Sequence, residues 1–266
     1  MIKLDNNIIN ASSFPDGTSA FRTDVPDKDE ITVTWCFDSN DEMALLFYLV
    51  NHIRSHNSDA DLILQMPYIP NARMDRVKNP DEVFTLKYFA SFINSFGFKK
   101  VIVYDPHSNV SEALINNISV ESHEVFIKDV MEKTNFNEEN DVLFYPDAGC
   151  AKKYENIFKL PYLKGEKKRD WRSGKIERLE LIGTIPQNGF NVLIIDDICS
   201  RGGTFFYAAK SLKQAGAREI NLYVTHCENT ILEGEMIKSC LIKKIYTTDS
   251  IFTATDNKIE IIKKFR

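Results

Sequence analysis

Val192-Leu193-Ile194-Ile195-Asp196-Asp197-Ile198-Cys199-Ser200-Arg201-Gly202-Gly203-Thr204 runs four apolar residues into two acids, then into a glycine pair that opens a helical stretch. Val192 to Ile195 shows no polar alternation, which suits a strand covered on both faces. Gly202 and Gly203 leave backbone N–H groups open, and a helix starting at Thr204 adds the positive end of its dipole. Ser200, Arg201, Gly202, Gly203 and Thr204 can therefore cradle a phosphate. Asp196 and Asp197, at the strand's end, suit ribose hydroxyls or, through water, Mg²⁺. The Walker pattern G-x-x-x-x-G-K-[ST] and the dinucleotide fingerprint G-x-G-x-x-G are both missing. A lone Gly-Gly reads most simply as a turn. Two acids behind a buried strand, with Gly-Gly-Thr ahead of a helix, favour a binding function.

Similar apolar runs lie on either side. Leu62 to Met66, Val101 to Tyr104, Val142 to Tyr145 and Ile220 to Val224 read as strands. Helical stripes separate them. Ser39 and Glu42 fit a capping box ahead of Leu46, Leu49, Val50 and Ile53. Leu86, Phe89, Ala90, Ile93 and Phe96 form a second stripe before Gly97, and Thr204 to Ala215 a third before Gly216. Strands alternating with helices imply an α/β fold of mostly parallel sheets flanked by helices, with ligands beyond the carboxyl ends of the strands. The polar stretch Thr134 to Asn140 marks a boundary between an N-terminal domain, 1–140, and a C-terminal domain, 141–266, whose last residues can pack back on the first. Lys164 to Gly189 reads as a long loop with one strand, Leu179 to Ile185.

The 266 residues suit about two domains at roughly 150 residues each. With 43% hydrophobic and 27% charged residues the chain is an ordinary globular one, neither disordered nor fibrous. Lys and Arg number 33 against 38 Asp and Glu, a net charge of -5 without the basic excess of a nucleic-acid binder. Five cysteines without a C-x-x-C pair argue against a zinc site or a disulfide framework. Neither a signal peptide nor a run of about 18 apolar residues is present, so no membrane partner is expected and a cytoplasmic location is the simplest.

The glycine segment resembles the phosphoribosyl diphosphate (PRPP) motif shared by type I phosphoribosyltransferases and PRPP synthetases. Further segments favour the second family. Pro67-Tyr68-Ile69-Pro70-Asn71-Ala72-Arg73-Met74-Asp75-Arg76 looks like its Pro-Tyr-x-x-x-Ala-Arg-x-Asp-Arg. Asp105-Pro106-His107-Ser108 resembles Asp-Leu-His-Ala, Pro146-Asp147-Ala148-Gly149 matches Pro-Asp-Ala-Gly, Phe14-Pro15-Asp16-Gly17 resembles Phe-x-Asp-Gly, and Thr225-His226 echoes a late Thr-His. The order holds over nearly the whole chain. The resemblance implies two phosphoribosyltransferase-like domains and transfer of the β,γ-diphosphate of ATP, with Mg²⁺, to the anomeric hydroxyl of ribose 5-phosphate. It implies adenine stacking on Phe14 with Asp16 at the base edge, ATP contacts at Arg73, Asp75 and Arg76, and metal and polyphosphate contacts at His107 and Asp147. The 5-phosphate falls to Ser200–Thr204 and the ribose to Asp196 and Asp197. Lys167 and Arg169 match a Lys-x-Arg on a mobile catalytic loop, and a homodimer or larger homo-oligomer is implied as well. Forked arginine donors suit phosphate oxygens, and diphosphate transfer asks mainly for charge neutralisation and alignment. No residue stands out as a general base.

The pattern departs in places. Thr18 stands where the family has Glu, Cys150 replaces a second Gly after Pro-Asp-Ala-Gly, and Arg201 replaces a small Thr in the phosphate loop. An arginine there either grips charge beyond the 5-phosphate, which admits an acceptor such as ADP-ribose and a role in NAD salvage, or turns to solvent or a nearby acid. Ribose 5-phosphate leads. A type I phosphoribosyltransferase leaves the Phe14, Arg73–Arg76 and basic segments unexplained, and a non-catalytic regulator would be expected to have lost metal or loop residues.

Overall fold

The computed structural model describes residues 1–169 and 176–266, apart from the side chains at 167–169 and 176–178. The chain forms two compact units, Met1–Ser122 with Phe265–Arg266, and His123–Lys264.

The first unit holds strands β1 (Ile2–Leu4), β2 (Asn7–Ile8), β3 (Ser12–Ser13), β4 (Ser19–Ala20), β5 (Glu30–Trp35), β6 (Asp61–Gln65), β7 (Lys100–Tyr104) and β8 (Ile118–Glu121), with helices α1 (Glu42–His56), α2 (Thr85–Asn94) and α3 (Asn109–Leu114). Its six-stranded sheet has the order β2-β1-β5-β6-β7-β8. β5 through β8 are parallel, and β1 and β2 continue the sheet antiparallel. β3 and β4 form a separate hairpin. The stripe expected on α1 is buried at Leu46, Leu49, Val50 and Ile53, and that on α2 at Leu86, Phe89, Ala90 and Ile93. They close a core with Val33, Trp35, Leu62, Leu64, Val101 and Val103. Each fully buried side chain of this size is worth about 1.5–3 kcal/mol. The capping box is not formed. Asp41 stands at the cap without a side-chain bond. The Glu42 carboxylate instead accepts from Trp35 Nε1 at 2.9 Å and the Asp38 N–H at 2.8 Å. An indole donor buried beside the helix start takes the acid that would otherwise reach Ser39.

The second unit opens with α4 (Glu124–Lys133) and continues with β9 (Val142–Tyr145), α5 (Ala148–Phe158), β10 (Tyr162–Arg169), β11 (Ile176–Ile182), β12 (Phe190–Cys199), α6 (Gly203–Gln214), β13 (Ala217–Cys227), a 3₁₀ turn (Asn229–Glu233), α7 (Glu235–Lys238), β14 (Lys244–Thr248) and β15 (Ile259–Ile262). The sheet order is β11-β10-β9-β12-β13-β14-β15, parallel except for the β10–β11 pair.

Three expectations shift. The units divide at Ser122/His123 rather than at 140/141. Residues of α4 bond within the second unit, where His123 meets the Tyr154 ring edge-on and Lys133 pairs with Glu260 at 3.0 Å. The polar stretch 134–140 is a turn in which the Asn137 N–H donates to Asp141 at 2.9 Å, not a linker. The segment taken as a long loop holds a pair of antiparallel strands, in register from Lys164↔Ile182 to Lys168↔Arg178, with a register shift before Arg169↔Ile176. Leu163 and Gly165 turn inward between more exposed neighbours, a period of two that the lysines obscure in the sequence. Lastly, β12 does not stop at Ile195. It pairs with β13 as far as Cys199↔Cys227, so Asp196 and Asp197 lie within the strand and the loop starts at Ser200.

Candidate functional site

In the first unit the parallel order of β6 and β7 puts the segments after both strands on one sheet edge. Residues 66–76 follow β6 and 105–108 follow β7. Asp75, only 6% exposed, receives a two-pronged bond from Arg76, with Nε at 2.8 Å and Nη2 at 3.0 Å. That fork, with further help from the charge of His107, holds the Asp75 carboxyl below the usual carboxylate range. The fold thus brings Asp75, Arg76 and His107 together. Arg73 and His107 are exposed, and Asp105 is fully buried in the left-handed region at φ 46°. Asp105 makes the tight turn that presents His107, a role its motif position alone does not reveal.

Phe14 and Asp16 occupy the tip of the β3–β4 hairpin, apart from the six-stranded sheet. Phe14 is 58% exposed. Asp16 Oδ1 accepts from Thr18 Oγ1 at 2.7 Å and from the Thr18 N–H at 3.0 Å. These bonds lower the Asp16 carboxyl pKa. Thr18, a departure in the sequence, therefore fixes the turn that displays Phe14.

In the second unit β9, β12 and β13 are parallel neighbours whose carboxyl ends gather the chemistry. Asp147 caps α5, its Oδ1 accepting the Cys150 N–H at 3.1 Å. Cys150, a second departure, donates its thiol to the Ile195 carbonyl at 3.1 Å and so ties the start of α5 to the residue before Asp196. Asp197 is buried and Asp196 partly so. Burial first, then the charge of Asp197, with a contribution from Asp147, pushes the Asp196 carboxyl well above the usual range. The loop then turns at Gly202, in the left-handed region at φ 74°, and α6 begins at Gly203. Such a turn leads N–H groups onto a helix start, the arrangement that suits an anion. Arg201 Nη2 donates to Glu233 at 2.8 Å, and both side chains are exposed, 72% and 60%. Lys167 and Arg169 lie on β10 by their backbone; their side chains lie outside the described residues.

Glu228 donates its N–H to the Cys199 carbonyl at 2.8 Å. His226 Nδ1 meets Ser250 Oγ at 2.8 Å, and Thr248 Oγ1 donates to the Thr225 carbonyl at 2.6 Å. The Thr-His pair noted in the sequence is thus buried in a polar network joining β13 and β14. The Cys199 thiol is pushed up by its hydrogen bond with Cys227 and by burial, which disfavours the nucleophilic thiolate form. Among the described residues no cluster of three or more His, Cys, Asp or Glu side chains is arranged to hold a metal.

A ribose-phosphate pyrophosphokinase of Rhizobium meliloti (strain 1021) is 29% identical over 231 residues, covering 82% of this chain and 70% of that protein. A protein of the same name from Staphylococcus aureus (strain Mu50 / ATCC 700699) is 31% identical over 210 residues, or 76% of this chain. The chain is a relative of the ribose-phosphate pyrophosphokinases. It spans 63% of the length of the Staphylococcus pyrophosphokinase. No protein-family model matches. The crystal structure of a phosphoribosylpyrophosphate synthetase from Mycobacterium smegmatis superposes with a TM-score of 0.75 at 15% identity, covering 96% of this chain and 86% of that one. The fold is therefore that of the pyrophosphokinases, two phosphoribosyltransferase-like α/β units, as the sequence implied. No described helix is long and apolar enough to cross a membrane.

Proposed function

We propose that the protein transfers the β,γ-diphosphate of ATP to the anomeric hydroxyl of ribose 5-phosphate, giving PRPP and AMP. The observation that carries this reading is the edge formed by Asp196, Asp197 and the Gly202–Gly203 turn at the start of α6. Backbone N–H groups of the loop bind the 5-phosphate, and the two aspartates hold the ribose hydroxyls. In the first unit Arg73 and Arg76 take phosphate oxygens of ATP, with Arg76 oriented by Asp75. Phe14, exposed on its hairpin, stacks on adenine, and His107 serves the polyphosphate. Lys167 and Arg169 neutralise the migrating diphosphate.

Mg²⁺ suits the donors present. Mg²⁺ is typically held by one or two carboxylates together with substrate phosphates rather than by an all-protein cage. Asp147 stands close enough for its charge to raise Asp196, a like-charge conflict that a cation relieves. When bound, Mg²⁺ would neutralise phosphate charge; in the second unit Asp147 is the residue that would hold it, and His107 is a separate candidate ligand in the first unit.

The contact between Arg201 and Glu233 favours ribose 5-phosphate over a larger acceptor, since the guanidinium already has a counter-ion. AMP release from Mg-ATP, with ribose 5-phosphate and ADP-ribose compared side by side, tests the reading. Release with ribose 5-phosphate alone is expected. Release with ADP-ribose alone makes Arg201 a specificity element, and release with neither overturns diphosphate transfer. Changing both Lys167→Ala and Arg169→Ala is expected to abolish turnover while ATP binding persists; surviving turnover removes both residues from the mechanism.

A further inference from the structure

The anion loop rests on a segment with no place in the motifs. Glu228 begins it, with its N–H on the Cys199 carbonyl at 2.8 Å, immediately ahead of Ser200. Glu233 follows on the Arg201 guanidinium. Gly234 lies directly against the Arg201 peptide: a Cβ there would stand 2.0 Å from the Arg201 carbonyl oxygen and 2.9 Å from its carbon. Met236, 1% exposed, packs beneath the turn, where a Cβ on Gly202 would meet its Cε at 2.6 Å. Backbone and thioether contacts thus fix the two residues whose peptides aim the loop's N–H groups.

We propose that residues 228–236 are the positioning element of the anion loop, with Gly234 and Met236 as positioning residues for acceptor binding. Gly234 has φ -76° and ψ 157°, a conformation open to any residue, so its requirement comes from the close approach of the Arg201 carbonyl rather than from backbone strain. An added methyl must displace main chain, because no flexible side-chain end lies in its way at 2.0 Å. Displacement turns the amides of 202–204 off the phosphate oxygens. Hydrogen bonds weaken steeply with misalignment, and a misplacement of about 1 Å can cost on the order of 100-fold. Naming ribose 5-phosphate as the anion rests on the proposed function.

The test measures KM and kcat for both substrates, together with ribose 5-phosphate binding by calorimetry without ATP. Gly234→Ala is expected to raise KM and Kd for ribose 5-phosphate by about tenfold or more while KM for ATP stays within about twofold. Met236→Ala empties the seat without a clash and shifts the same constants in the same direction by a smaller factor. A general loss of fold would lower kcat and disturb both substrates, so the one-sided change is diagnostic. If both Gly234→Ala and Met236→Ala keep ribose 5-phosphate KM and Kd within about twofold of wild type, the positioning role is wrong. Wild-type protein that binds ribose 5-phosphate without releasing AMP overturns diphosphate transfer and leaves the seat to be judged from Kd alone. Wild-type protein that binds none overturns both.

Discussion

Replacing Asp196 by Asn is expected to stabilise the second unit while removing its use of acceptor. The Asp196 carboxyl is pushed well above the usual range by burial first, then by Asp197, and by Asp147. One bond opposes this, from the Asp197 N–H to Asp196 Oδ1 at 3.0 Å. A raised folded-state pKa means that the folded protein holds this proton more tightly than the unfolded chain. The group's stabilising contribution is therefore complete below the unfolded pKa and is lost as pH rises through the folded one. Asn keeps the shape and the Oδ1 acceptor but carries no charge at any pH. Relieving a destabilised functional site is commonly worth about 0.5–2 kcal/mol, and each kcal/mol moves the midpoint by about 2–4 °C for a domain of this size. Calorimetry in EDTA should show Asp196→Asn melting roughly 1–8 °C above wild type at alkaline pH, with the gain shrinking on acidification as wild-type Asp196 takes up its proton. Turnover with ribose 5-phosphate should fall away in the same variant. An unchanged or lower midpoint at the alkaline end, or a gain that grows on acidification, would refute the argument from like charges.

Further outcomes follow from the same edge and from the hairpin. Arg201→Thr breaks an exposed pair with Glu233, so denaturant titration should show a change below about 0.5 kcal/mol, and ribose 5-phosphate KM should hold. Cys150→Ala removes the thiol donor from the Ile195 carbonyl and should cost about 1–2 kcal/mol by the same titration, with Cys150→Ser recovering part of it. Phe14→Ala, at a position 58% exposed, should leave stability within about 0.5 kcal/mol yet raise KM for ATP and not for ribose 5-phosphate; equal effects on both substrates would argue against adenine stacking.

The sequence was most legible where one period ruled. Leu46, Leu49, Val50 and Ile53 announce α1, and the unbroken apolar runs announce β6, β7, β9, β12 and β13, because burial on one stripe or on both faces leaves a clear periodic trace. It misled where another interaction outbid the local signal. Glu42 looked like half of a capping box but serves the Trp35 indole. Lys164 to Arg169 looked irregular because Lys164 and Glu166 take the more exposed side of a strand whose buried side holds Leu163 and Gly165. Asp196 and Asp197 looked like the strand's end because polarity usually ends a parallel strand. Here the ladder with β13 runs past them to Cys199, at the expense of two adjacent carboxyls, one buried and one partly so. Gly234 was invisible: at an ordinary φ, only knowledge of what lies against it gives a glycine meaning.

That last point bears on how Arg201 can stand where the family carries a small residue. A loop that binds an anion through backbone N–H groups is indifferent to a side chain that turns away and indifferent to its charge once that charge is matched. Both conditions hold, for the guanidinium is 72% exposed and lies on Glu233. What the loop cannot tolerate is movement of the peptide itself. The Arg201 carbonyl leaves no room for a Cβ on Gly234, and Gly202 holds its left-handed turn against Met236. Constraint at this site therefore falls on Gly202, Gly234 and Met236, while the side chain at 201 turns outward to Glu233. The departure that most invites a new substrate is, on this geometry, a surface ion pair beside a turn held by backbone and thioether contacts.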